Sequence, residues 1–212
     1  MIKAMNQFFI KCFLISFSFL AVGYPLWVVL HTVNWALNAT LLSNLFPAFG
    51  IVAFTLLWLH AISGVFEPWL RRQIDFDKFV HVTSLIILAS IILHPLLLLV
   101  ETGFSFSKIF LHYEAKYIWF AIIGWFLLIT YDIGKVLKKY NFFSRHWNKI
   151  LVVSTVGFIL TFFHSLNLGS DLQAGPLRTI WIFYGVTAIL ATIYTYGIRR
   201  LRKNYPDSTA IK

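Results

Sequence analysis

The stretch Phe79–Val100 reads FVHVTSLIILASIILHPLLLLV. About 20 apolar residues in a helix cross the roughly 30 Å hydrocarbon core of a bilayer. This run is therefore read as a membrane span, yet it holds two histidines, His81 and His94. An imidazole in hydrocarbon is costly unless it has a partner, so an ionisable residue inside a span marks a candidate functional site.

The rest of the chain fits a membrane setting. Of its 212 residues, 59% are hydrophobic and 12% charged. A soluble domain is about half apolar and about a quarter charged. Five more apolar runs, at about 9–30, 46–66, 117–134, 150–168 and 178–198, accompany 79–100. The expected fold is all-α, an integral membrane six-helix bundle forming a single domain over 1–212. The segment GFSFSKIFLHYEAK between the third and fourth spans is read as a loop. The run from Phe13 to Leu30 is longer than a usual signal-peptide core and has no clear A-x-A site, so it is read as a retained first span.

The formal charge of +10 does not point to nucleic acid, because the basic residues lie between spans, where they set orientation. Lys3 and Lys11 precede span 1, and Arg71, Arg72 and Lys78 follow span 2. Lys135, Lys138, Lys139, Arg145 and Lys149 follow span 4, and Arg199, Arg200, Arg202 and Lys203 follow span 6. The alternate loops carry only Lys108, Lys116 and Arg178. Both termini are expected in the cytoplasm, with odd spans running outward. Cys12 is the only cysteine, which excludes an intramolecular disulfide, a four-cysteine cluster and covalent C-x-x-C-H haem attachment. No Gly-rich phosphate loop is present, so a reducing domain would be a separate protein or a diffusible donor.

Depth along the spans relates the histidines. His94 lies 13 residues beyond His81, roughly 20 Å at 1.5 Å per residue. His164 lies in span 5, which also runs outward, and falls roughly 21 Å from that span's inner end. His94 and His164 are thus expected at one depth on two helices, which suits two axial ligands on opposite faces of one haem iron. The alternative is that each simply hydrogen-bonds to a neighbouring helix. Pro95 follows His94 and removes a backbone donor, so a local kink is expected beside it. His81 sits roughly 220° around the helix from His94. A second, inner haem would need a partner for it at its own depth, where Leu151 stands on span 5; His60 and His146 are the substitutes. His31 and His112 fall at the outer surface and are read as interfacial or solvated residues rather than ligands, either of which could touch an external acceptor.

At this point the chain resembles a known family. DFDKFVHVTSLIILASIILH is similar to the third span of the ferric-reductase-like transmembrane family, in which a charged start leads into two histidines about a dozen residues apart. RHWNKILVVSTVGFILTFFHSLNLGSDL resembles its fifth span, a basic residue and a W-x-x-L-H pattern followed by a second histidine. The family includes NADPH oxidases, ferric reductases and MsrQ-type haem-binding proteins, and the stand-alone members are nearest in length. The resemblance implies b-type haem at His81, His94 and His164. It departs at Leu151, where the family's pattern has its histidine. A flavin such as FMN at the inner face is the implied substitute, its phosphate met by Arg71, Arg72 and Lys78.

The expected function is therefore a b-type cytochrome of a bacterial inner membrane, passing electrons outward. It would hold one haem b, or two if His81 pairs with His60 or His146. The donor would be a cytoplasmic flavin reductase or a quinone. The acceptor would be ferric iron, oxygen or a partner protein at the outer face. The competing expectation is a non-redox bundle, a transporter or structural subunit with packing or proton-relay histidines. Against a proton path, Glu67, Asp75, Asp77, Glu101, Glu114 and Asp132 all fall at span ends or in loops. A third reading has the chain bind haem only to anchor a soluble reductase.

Overall fold

Without water in the bilayer core, backbone N–H and C=O groups must pair within the protein, which leaves helices or closed barrels. This chain takes the helical solution. The computed structural model describes residues 2–31, 33, 35 and 41–199; Arg200, Arg202 and Lys203 lie outside them. The helices are α1 (Ile2–Leu30), α2 (Leu41–Leu70), α3 (Phe76–Glu101), α4 (Phe106–His112), α5 (Ala115–Leu137), α6 (Asn141–Arg145), α7 (Trp147–Leu168) and α8 (Gly175–Thr192). A π-helical segment, Ile193–Ile198, continues α8. Among the described residues there is no strand.

Six helices are long and apolar enough to cross a membrane: Gln7–Leu30, Leu45–Leu70, Phe76–Glu101, Ala115–Leu137, Trp147–Leu168 and Gly175–Ile198. These are the six expected runs, each extended by a few residues. The chain is a multi-pass membrane bundle. Two short helices were not expected. α4 occupies the segment read as a loop after α3, and α6 joins α5 to α7. Gly103 and Phe104, at φ 65° and 58°, turn the chain out of α3. Glycine adopts that conformation freely, and phenylalanine does so uncommonly.

α2 lies deepest in the bundle. Its Phe54 stacks on Trp181 of α8 at 4.3 Å, and its Trp58 on Tyr184 at 4.0 Å. The polar ends of these rings are paired: Trp58 Nε1 donates to Thr187 Oγ1 at 2.9 Å and the Tyr184 hydroxyl to the Ala21 carbonyl at 2.9 Å. One aromatic layer thereby ties α1, α2 and α8 together. The bundle also holds two closely packed pairs, α2 along α3 and α5 along α7, while α3 and α5 barely touch. That leaves a slot between the pairs.

Close approach within the α5–α7 pair depends on glycine. A Cβ on Gly157 would stand 2.8 Å from the Gly124 carbonyl oxygen and 2.9 Å from Leu127 Cβ. Small residues at a helix contact let backbones approach, and in lipid packing is the main force that holds helices together. Gly157→Val is expected to cost about 1–3 kcal/mol by overpacking, read as a lower thermal midpoint in detergent. Gly64→Ala, whose new Cβ meets nothing within 4 Å, should leave the midpoint unchanged or raise it.

Candidate functional site

His94 of α3 and His164 of α7 face each other across the slot. Their ring centroids are 6.5 Å apart and their planes 74° apart. His94 Nδ1 lies 2.7 Å from the Phe46 carbonyl of α2, and His164 Nδ1 lies 3.0 Å from the Tyr117 carbonyl of α5. A carbonyl only accepts, so each Nδ1 carries the hydrogen and each Nε2 keeps a lone pair. Both rings are thus oriented by the partner helix of their own pair and hold the tautomer that ligates a metal through Nε2. The depth expected from residue counting is realised as proximity.

His94 and His164 would be the residues to hold a shared iron between their rings. Gly50 makes room for the His94 ring, since a Cβ there would stand 3.0 Å from its Cε1 and Nδ1. Among the described residues no group of three or more His, Cys, Asp or Glu side chains is placed to hold a metal ion. Two imidazoles suffice where a macrocycle supplies the remaining ligands, which is the haem case. The donor set therefore fits haem.

A second contact spans the slot one turn away. α3 runs unbroken through Pro95. Proline has no N–H for the carbonyl four residues earlier, which is that of Ile91. Trp125 of α5 supplies the missing donor: its Nε1 donates to the Ile91 carbonyl at 2.8 Å. The residue that frees the carbonyl is adjacent to His94, so this latch ties α5 to α3 beside the histidine pair. Trp181 Nε1 donates to Ser165 Oγ at 2.8 Å and steadies α7 next to His164 in the same way.

The other histidines are not brought together. His81 is exposed. Thr83, two residues on and roughly 200° around the helix, faces the bundle and meets His60 Nε2. Thr83 Oγ1 donates to the Phe79 carbonyl at 2.7 Å, so it accepts from His60 and fixes the proton on Nε2. Of the residues expected around an inner haem, His81 with His60 or His146, His81 faces out of the bundle and His60 is tied to a hydroxyl. His146 bonds back to the Phe142 carbonyl at 2.9 Å, one turn before it. His31 and His112 are exposed and bond within their own turns, to Val28 at 2.6 Å and Lys108 at 2.8 Å.

Where the second haem was expected there is a cavity of about 480 Å³ at the end of the bundle that carries Arg71 and Lys138. Leu151 and His60 are on its wall, and it reaches Ile91, one turn from His94. Residue types gave no signal for the Phe46 and Tyr117 carbonyls, which are backbone atoms. Trp125 did have one, because Pro95 leaves an unpaired carbonyl that needs a donor.

No family model, curated protein or solved structure matches the chain.

Trp125→Phe is expected to cost about 1–3 kcal/mol, the penalty of a buried unpaired carbonyl. In a Pro95→Ala background the backbone N–H restored at position 95 serves Ile91, and the same substitution should cost clearly less. A thermal-denaturation cycle over the four proteins measures this coupling, and additive costs would show that the latch does not exist.

Proposed function

We propose that this chain is a membrane b-type cytochrome that moves electrons across the bilayer. The observation that carries the reading is the facing pair His94 and His164, each with Nδ1 held by a carbonyl and the two rings 6.5 Å apart. When bound, haem b supplies a one-electron ferric–ferrous couple. The protein's part is to present two neutral imidazoles, to orient them through Phe46 and Tyr117, and to keep them in a low-dielectric setting. All of these act on the potential of such a centre.

In this reading the basic end of the bundle faces the cytoplasm, in accord with the positive-inside rule, and the membrane is a bacterial inner membrane. The donor approaches from the cytoplasmic side or from within the membrane. The acceptor at the outer face is ferric iron, oxygen or a partner reductase. A single haem is favoured over two, because Leu151 and the outward-facing His81 leave the lower level without a ligand pair. Arg71 also fits the inner-face flavin poorly. Its guanidinium already pairs with Asp77 at 2.8 and 2.9 Å and with Glu67 at 2.9 Å.

The purified protein should show a reducible b-type absorbance spectrum and one haem per chain in a pyridine haemochrome assay. His94→Ala and His164→Ala should each remove or convert the low-spin bis-imidazole signal, while His81→Ala leaves it intact. A colourless protein, or a spectrum indifferent to both His94→Ala and His164→Ala, would falsify the reading.

A further inference from the structure

We propose that the connection between α5 and α7 binds the phosphate headgroup of an anionic phospholipid, whose acyl chains lie on the apolar faces of those helices. Residues 133–149 hold five cations, Lys135, Lys138, Lys139, Arg145 and Lys149, and no carboxylate. The turn from α2 to α3 is different. Over 67–78 the three cations Arg71, Arg72 and Lys78 stand beside three carboxylates, Glu67, Asp75 and Asp77, and Arg71 is paired with two of them. Among the described residues the five cations of 133–149 make no ion pair, and all are exposed. Lys135 lies near Asp132. Lys138 Nζ and Lys139 Nζ lie 4.5 and 5.3 Å above the centres of the Trp147 and Tyr140 rings. A ring face attracts a cation without cancelling its charge. The excess positive charge is therefore left for a ligand outside the chain.

The segment also has a suitable shape. α6 borders a surface hollow of about 460 Å³ lined by Asn141, Phe142, Ser144, Arg145 and His146. His146 Nδ1 is occupied by the Phe142 carbonyl. Among the described residues the Asn141, Ser144 and Arg145 side chains make no hydrogen bond. An amide, a hydroxyl and a guanidinium are all donors to phosphate oxygens, and the bonds from a guanidinium are the strong, charge-assisted kind.

Depth and apolar surface select a lipid over a soluble acidic partner. α6 lies between the ends of two spans, Leu137 and Trp147, which is headgroup level. Tyr140, 54% exposed, and Phe142, 66% exposed, stand among the cations. Amphipathic aromatic rings favour the membrane–water interface. On α5, Ile133 and Val136 are exposed just before Lys139. On α7, Val152, Val153 and Val156 are exposed just after Lys149. Residues three and four apart share a helix face, so each helix presents a cation at the foot of an apolar stripe. A phospholipid matches both parts at once, whereas a soluble acidic protein reaches only the cations. Clusters of basic residues next to a span are the usual footing of anionic lipid. The binding does not depend on haem.

Native mass spectrometry of the full chain in a neutral detergent, titrated with dioleoylphosphatidylglycerol or dioleoylphosphatidylcholine, tests the site. Phosphatidylglycerol is expected to bind about fivefold more tightly or better, the share of a few basic side chains. Raising ammonium acetate from about 0.05 to about 0.5 M should shrink that preference by screening. Arg145→Gln combined with Lys149→Gln should bring the two lipids within about twofold of each other. Arg72→Gln combined with Lys78→Gln, on the charge-balanced turn, should leave the preference intact. Thermal midpoints in the same detergent report that both variants are folded. Equal affinity for the two lipids, a preference that survives the Arg145 and Lys149 changes, or one lost equally in the Arg72 and Lys78 variant would each overturn the proposal. So would full competition by glycerol 3-phosphate, which assigns the hollow to a free phosphate, or by a poly-glutamate peptide, which assigns it to an acidic protein. The readout is the same for coloured and colourless protein, so this site stands or falls apart from the haem reading.

Discussion

The arrangement depends on two hydrogen bonds from imidazole to backbone, His94 to Phe46 and His164 to Tyr117. In a low-dielectric interior an unpartnered imidazole is expensive, and a bonded one is held in a single orientation and tautomer. Both acceptors lie on helices that pack along the histidine's own helix, α2 beside α3 and α5 beside α7. Each pair is therefore a unit that carries one oriented imidazole. The two units then need only be set at the right separation, and that setting is a tertiary matter.

Separation is controlled at several points. Gly124 and Gly157 bring α5 and α7 into backbone contact, so any side chain there would shift His164. Gly50 lets the His94 ring lie against α2. The latch from Trp125 to the carbonyl released by Pro95 crosses the slot itself. A proline that would weaken an isolated helix here creates a bond between helices, which is how membrane proteins tolerate it: a neighbouring helix re-satisfies the freed group. The aromatic layer of Phe54, Trp58, Trp181 and Tyr184 backs this assembly with buried rings whose polar atoms are all paired.

The two levels of the slot are chemically different. One is closed by imidazoles. The other is a cavity with a charge-balanced rim and Leu151 on its wall. Arg71 illustrates why a basic residue near a cavity is not by itself an anion site. Two carboxylates, one four residues before it and one across the turn into α3, already satisfy its guanidinium. Those hydrogen bonds, to Asp77 first and then to Glu67, hold its pKa above the ordinary arginine value.

Composition and the length of the apolar runs determined the six spans, because hydrocarbon gives a backbone no other partner than itself. The constant rise per residue made depth readable, so His94 and His164 could be matched from counting alone. Facing was not readable in the same way. Rotation depends on which neighbours a helix finds, and hydropathy that is apolar all round says nothing of which side meets protein and which meets lipid. Only the packed bundle decided that His81 points outward, that His60 meets Thr83, and that backbone carbonyls of Phe46 and Tyr117 orient the pair. It also decided where empty volume remains. A cavity belongs to no residue; it is what several helices leave between them when their side chains have packed.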